Sequence, residues 1–300
     1  MKSTIITMCV TAGMLCGGAA LWTVFAAEGQ SRAVAVPDFS SNDVSWAGFV
    51  APVSPTRAIT ARTRNDFTPP LSGPGPVTDD PDHPYINNEL ARQLNVQPTY
   101  RVANLNNSNL KPWVVEALRK QNELALAGKQ GLPRDARCWE VGVPAYHLHP
   151  GEMYFIQTPK EVILYLQARV RHIYLDVPHS KNPKPSWYGE SVGHYEGGDT
   201  LVVDTIGFND QTFVDNYRTP HTSQLHVTER FKLIDGGKTL DVSFTVEDPG
   251  AFYAAWSASR PRQRVQHGPM DGHEAGCSED HNNYFNLDIE QVPIADKPDF

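Results

Sequence analysis

Glu229 is the residue most able to do chemistry, because of its company. In Leu225-His226-Val227-Thr228-Glu229-Arg230-Phe231-Lys232-Leu233 the residues alternate strictly. Leu225, Val227, Phe231 and Leu233 share one face with Glu229, while His226, Thr228, Arg230 and Lys232 share the other. Period-two alternation specifies a half-buried strand. A carboxylate on its apolar face must be paired, protonated or turned into a cavity. Protonated, with a raised pKa, it would serve as an acid or base near neutral pH. Paired, it is a structural ion pair whose partner is not Arg230, which points the other way.

Asp204 is the second candidate. In Thr200-Leu201-Val202-Val203-Asp204-Thr205-Ile206 nearly every position is apolar, so both strand faces can be covered. Facing inward beside Glu229, Asp204 would split the two pKa values and complete an acid/base pair. Facing outward, it would leave Leu201, Val203 and Thr205 to the core. Asp176 and His179 form a D-x-x-H step at a strand end that leads into the loop Pro183–Pro185, where a carboxylate can fix an imidazole tautomer. His221 is a further proton-transfer candidate. The histidine spacings offer only a weaker metal reading: His221, His226 and Glu229 resemble a triad, but His226 and Glu229 fall on opposite strand faces, and His147-Leu148-His149 puts two imidazoles on one face able to chelate zinc or copper only with ligands from distant segments. The chain has no phosphate-binding glycine loop, nucleophile elbow or dinucleotide fingerprint, so no cofactor is expected.

The elements that would hold these groups follow from the pattern. Met153–Gln157, Val162–Gln167 and His172–Asp176 read as strands. Val192–Tyr195 with Thr200–Phe208, and Leu225–Ile234 with Thr239–Val246, read as hairpins around Gly197-Gly198 and Gly236-Gly237, and Trp256–Val265 reads as a last strand. Residues 112–127 read as a helix, with Pro112 in its first turn, an apolar stripe through Val114, Ala117, Leu118, Leu124 and Ala125, and Gly128 at its end. Residues 27–110 are rich in Pro and Asn yet carry Trp46, Phe49, Phe67, Tyr85 and Tyr100, which suits an arm wrapped on a core. The expected fold is all-β: an antiparallel barrel or half-barrel over 111–300, with the extended arm and one packed helix. Tyr174, Tyr195, Phe208, Phe231, Trp187 and Asn209 are the expected ligand contacts, and Tyr154, Tyr165 and Phe213 can join them around a cavity for a flat apolar molecule. Such aromatics are more often ordinary core.

Composition restricts the partners. The 300-residue chain has a formal charge of −8 and no basic patch, which excludes an electrostatic footprint for nucleic acid or anionic lipid. Lys2, then the uncharged apolar run Ile5–Phe25 ending in small residues, reads as an export signal over 1–26. Cleavage would leave no membrane anchor and place the protein in the periplasm or outside the cell; retained, the run is long enough to span a bilayer. Cys9 and Cys16 leave with the signal. Cys138 and Cys277 then read most simply as one disulfide in an oxidising compartment, tying mid-chain to C-terminus.

Several motifs carry a resemblance. They are Cys138-Trp139-Glu140-Val141-Gly142-Val143-Pro144, Phe155-Ile156-Gln157-Thr158-Pro159, Trp187-Tyr188-Gly189, and the run from Gly193-His194-Tyr195-Glu196-Gly197-Gly198-Asp199-Thr200-Leu201-Val202-Val203-Asp204 to Asp210. The chain resembles a family of exported bacterial proteins of little-known function, from Cys138 to about Glu247. Members usually read W-E-G-D where this chain has His194-Tyr195-Glu196-Gly197-Gly198-Asp199. The glycine–tyrosine–glutamate run is also similar, more weakly, to lipocalin-like barrels, which implies a ligand cavity. The resemblance assigns no catalytic residue. Two functions fit. One is a cofactor-independent acid/base enzyme of lyase, hydratase, isomerase or cyclase type, acting on a small apolar or aromatic compound. The other is a carrier using the same cavity. A metal-dependent hydrolase is a weaker third.

Overall fold

The structure is a computed structural model that describes residues 36–39, 44–47, 66–85, 101–127, 129, 139–149, 151–166 and 169–266. The expected signal segment and both mature cysteines, Cys138 and Cys277, lie outside them.

Ten strands form one sheet: β1 (Val44–Ala47), β2 (Glu152–Gln157), β3 (Glu161–Leu166), β4 (Arg169–Leu175), β5 (Glu190–Glu196), β6 (Thr200–Ile206), β7 (His226–Ile234), β8 (Thr239–Glu247), β9 (Trp256–Ser259) and β10 (Arg262–Gln266). Their order is β10-β1-β2-β3-β4-β5-β6-β7-β8-β9, and β10 also pairs with β8. That pairing closes a barrel of nine strands, with β9 hydrogen-bonded to β8 outside the ring. The expected last strand is two strands, with opposite jobs. The arm does more than wrap: Val44–Ala47 enters the barrel wall between β10 and β2.

The barrel is mixed rather than wholly antiparallel. β4 and β5 run parallel, Ile173 opposite Ser191 and Leu175 opposite Gly193. Parallel neighbours need a crossover, and here it is the loop from Asp176 to Gly189. Gly207 and Gly189 let that loop lie close against β6. At φ +74° Gly207 would put a Cβ 2.8 Å from Pro183 Cβ, and at φ +65° Gly189 would put one 2.5 Å from the Ile206 carbonyl oxygen. Left-handed backbone plus collision with main chain leaves alanine no relaxed position. Gly189→Ala is therefore expected to lower stability by about 2 kcal/mol or more, read as a shifted urea midpoint, and to loosen the loop that carries His179.

Alternation decides what fills the barrel. Val227, Glu229 and Phe231 of β7 face in, as do Leu201, Val203 and Thr205 of β6 and Leu164, Ile173 and Phe244 of neighbouring strands, all buried. Phe155 packs edge-on to Phe231, with ring centroids 5.7 Å apart. One end is stopped by a 3-10 turn, Ala145–Leu148, which delivers Tyr146 and His147 into the interior. His147-Leu148-His149 is thus not a strand, and its two imidazoles do not share a face. Helix α1 (Pro112–Leu126) buries Val114, Leu118, Asn122 and Ala125. Asn122 grips Ala103 twice, accepting from its N–H at 2.7 Å and donating to its carbonyl at 2.9 Å. Among the described residues no helix is long and apolar enough to cross a membrane.

Candidate functional site

Asp204 and Glu229 lie on adjacent strands but on opposite sides of the sheet. Val203 pairs with Glu229, and Asp204 pairs with Thr228. The period of two therefore sends Glu229 inward and Asp204 outward. They make two separate charged sites and no acid/base pair with each other.

The inner site is an ion pair. Arg171 of β4 reaches Glu229 with both guanidinium arms, Nη1 to Oε1 at 2.9 Å and Nη2 to Oε2. Its Nη2 also donates to Thr205 Oγ1 at 3.0 Å, and its Nε to Ser191 Oγ at 3.2 Å. His147 Nε2 meets Glu229 Oε1 at 2.6 Å. Burial pushes the Glu229 carboxyl up, but the charge and hydrogen bonds of Arg171, then His147, hold it down at about 2. Burial lowers the His147 pKa despite Glu229. Neutral His147 therefore donates Nε2–H to an ionised Glu229. Of the two readings of Glu229, the geometry takes the ion pair, not a carboxyl raised toward neutrality. Above it, buried Arg262 donates to the carbonyls of Trp46, Gly151, His147 and His149 and pins the plug to the wall.

The outer site is a chain of alternating carboxylates and imidazoles. Asp204 takes His226 Nε2 on Oδ1 at 2.6 Å and His179 Nε2 on Oδ2 at 2.8 Å. The far nitrogen of each ring finds another carboxylate: His226 Nδ1 lies 3.1 Å from Glu247, and His179 Nδ1 lies 3.0 Å from Glu190. Glu190 is fixed in turn by the Ser180 backbone N–H at 2.7 Å. The order is Glu190–His179–Asp204–His226–Glu247, laid across β5, β6, β7, β8 and the crossover loop. An imidazole with carboxylates at both nitrogens is satisfied only when both carry protons. Burial lowers the His226 pKa, but Asp204 and then Glu247 outweigh it and the net shift is upward. Burial likewise raises Asp204, and the hydrogen bonds from His226 and His179 reverse it to a net lowering. All five groups are partly open to solvent, with His226 one-third exposed and Glu247 53% exposed.

The structure thus brings together two expected site residues, Asp204 and His179. Asp176 does not orient His179, whose two nitrogens belong to Glu190 and Asp204; Asp176 instead takes a left-handed turn at φ 55° where β4 ends. His221 is buried in the loop before β7, its Nε2 hydrogen-bonded to Thr212 Oγ1 at 2.7 Å and its Nδ1 donating to the Thr222 carbonyl at 3.0 Å. That makes it a pin within the loop before β7. The expected ligand contacts do not converge on one cavity. Phe208 and Phe231 are buried packing, Tyr174 stands on the outside stacked with His172, and Trp187 sets its edge against Trp139. Tyr195 accepts from Gln157 Nε2, and Asn209 closes a turn onto the Gln211 N–H. Among the described residues no group of three histidine, cysteine or carboxylate side chains is arranged to hold a metal ion.

Arg171, His147, His226, Glu190 and Glu247 were not expected at either site. His226 and Glu247 were findable, since the register of a hairpin turning at Asp235–Lys238 sets them opposite one another at the strand ends. Arg171 was not, because both faces of Arg169-Val170-Arg171-His172-Ile173-Tyr174-Leu175 mix polar and apolar residues. No protein-family model and no curated protein matches this chain.

Proposed function

We propose that this is an exported acid/base enzyme of lyase or isomerase type whose proton-transfer site is the outer chain of carboxylates and imidazoles, not the barrel interior. The observation that carries the reading is Asp204 bound by two imidazoles, at 2.6 and 2.8 Å, each ring partly open to solvent. The proposal keeps the likeness to the exported bacterial family and to lipocalin-like barrels, but puts the chemistry on the outside of the wall.

The roles follow from the bonds. Asp204 holds the Nε2–H of His226 and leaves Nδ1 as the working atom, the logic by which a carboxylate orients an imidazole. Glu247 is the most exposed member and the one a substrate can replace. When Glu247 turns away, His226 Nδ1–H faces solvent as a general acid; once deprotonated, the same nitrogen is a general base. His179 bonds the other oxygen of Asp204, so one ring can lose its proton while the carboxylate stays paired with the other. Reversible proton transfer next to a carbonyl or a leaving oxygen is the reaction class this supports.

Proton exchange tests it without knowledge of the product. Small enolisable ketones, aldehydes and carboxylic acids are incubated with the protein in D2O and followed by mass spectrometry. Deuterium should enter at least one of them, and His226→Gln or His179→Gln should abolish it. The same incorporation in both variants, or none with the wild type, would sink the proposal.

A further inference from the structure

The outer face of β2–β4 is an apolar side of the barrel wall. The register sets Tyr154, Tyr165 and Val170 in one row and Ile156, Ile163 and His172 in the next, with Tyr174 opposite Glu161 beyond them. Their strand neighbours Phe155, Leu164 and Ile173 are buried, so these side chains point away from the interior. Ile156, Val170 and Tyr174 are 42%, 46% and 49% exposed. The polar groups of this face are tied to one another. Glu152 accepts from Ser45 Oγ at 2.9 Å and from the Tyr154 hydroxyl at 3.0 Å, and His172 Nδ1 lies 3.1 Å from Glu161. What is left for a partner is apolar, and a contiguous exposed apolar patch marks a docking surface.

The chain itself supplies the occupant. β10 leaves the wall at Gln266, beside Val44. Cys277, eleven residues on, is expected to bond Cys138. Glu140 has its carboxylate 3.5 Å from Arg169 Nε, where β4 starts. Cys138 is two residues from Glu140, so its backbone lies within about 7 Å. Trp46 pairs with Arg264 and with Met153, Met153 with Leu166, and Leu166 with Arg169. One cross-strand row thus joins β10 to β4 over four strand spacings, or about 19 Å. Eleven extended residues span about 36 Å, which covers that distance and the side chains between Arg169 and Cys138. The interior is packed, so the short route from Gln266 to Cys138 runs across the outside of β1, β2 and β3.

The sequence beyond Cys277 suits the same surface. Phe285, Leu287 and Ile289 alternate with Asn286, Asp288 and Glu290. Laid flat, such a segment turns three apolar side chains inward and its amide and carboxylates to water. Eight residues carry Phe285 up to about 26 Å from Cys277, enough to follow the seven residues of β4 to Tyr174.

We infer that the C-terminal segment straps the outer face of β2–β4, tethered by a disulfide from Cys277 to Cys138, with Phe285, Leu287 and Ile289 seated on the apolar rows. The inference is independent of the acid/base reading.

Hydroxyl-radical footprinting of the full air-oxidised chain tests it, with peptide mapping under non-reducing conditions. Mapping should recover a peptide joined through Cys138 and Cys277. Oxidation of Tyr165 and Tyr174 should rise severalfold when Phe285→Asp, Leu287→Asp and Ile289→Asp are combined, and also when the chain is ended after Cys277. Phe231 and Tyr146, buried in the barrel, should stay protected in every variant, which separates uncovering from unfolding. Two free thiols, or equal labelling of both tyrosines with and without the three aspartates, overturns the inference. Protection that disappears on dilution overturns it as well, because the face is then covered by a second copy of the chain.

Discussion

Glu229→Gln is expected to cost about 3–5 kcal/mol of unfolding free energy, the range for breaking a buried ion pair from one side. The reason lies with Arg171. Its guanidinium is buried and presents parallel donors to both oxygens of Glu229. Glutamine keeps one acceptor but turns an N–H2 toward the second donor, and the positive charge loses its partner. His147 Nε2–H also loses a charged acceptor. The effect has a pH signature. The Glu229 carboxyl is held at about 2 against an ordinary value of 4.5. Between those values the unfolded chain binds the extra proton, so the stabilisation is complete above pH 4.5 and is lost as pH falls toward 2. A depression of that size is on the order of 3 kcal/mol. Urea unfolding from pH 6 downward should show the wild type losing that amount and Glu229→Gln losing none of it. Removing both charges with Arg171→Met and Glu229→Leu together should recover much of the loss, although His147 then keeps an unbonded N–H. A single variant as stable as the wild type, with the same acid slope, would mean that Glu229 is not paired in solution.

Much of this interior was legible in the sequence, and the reason is the period of two. Strict alternation in β7 put Glu229 inside and His226, Thr228, Arg230 and Lys232 outside, which is where they are. The outward option for Asp204, with Leu201, Val203 and Thr205 to the core, also follows from alternation alone. What alternation cannot supply is the partner across the barrel. Arg171 is 58 residues from Glu229, and His147 is 82. A buried carboxylate demands a cation but does not say which of several arginines answers. The parallel β4–β5 pair was hidden for a related reason. The stretch Val177–Pro185 is rich in Pro and Lys and reads as a plain surface loop, with no helix to announce a crossover. Yet it is this loop, pressed onto β6 beside Gly207, that sets His179 on Asp204. The outer chain of five groups is therefore a product of topology: members from four strands and a loop meet only after the crossover is made.

Asp204→Asn tests whether that chain works or merely holds the wall together. An amide has one acceptor oxygen and one donor nitrogen where the carboxylate had two acceptors. Only one imidazole can keep its Nε2–H bond; the other faces an N–H2 and must become neutral there or turn away. The upward shift of the His226 pKa opposes a downward pull from burial, and Asp204 is the main group sustaining it. His226 in Asp204→Asn should therefore titrate well below its wild-type value, read directly from its ring resonances. Since the wild-type pKa is raised, His226 stabilises the fold fully below its ordinary value of 6.5, and that contribution is lost as pH rises through the folded pKa; the variant should lack that slope. If His226 is the proton-transfer group, deuterium exchange falls by about 10²–10⁴-fold, the usual worth of a positioned acid or base, and the pH at half-maximal rate moves down with the histidine. A purely structural chain gives a different pair of results: the titration shifts, but the rate follows only the folded fraction, and Glu190→Gln, which leaves His226 and Asp204 joined, costs as much rate as Asp204→Asn does.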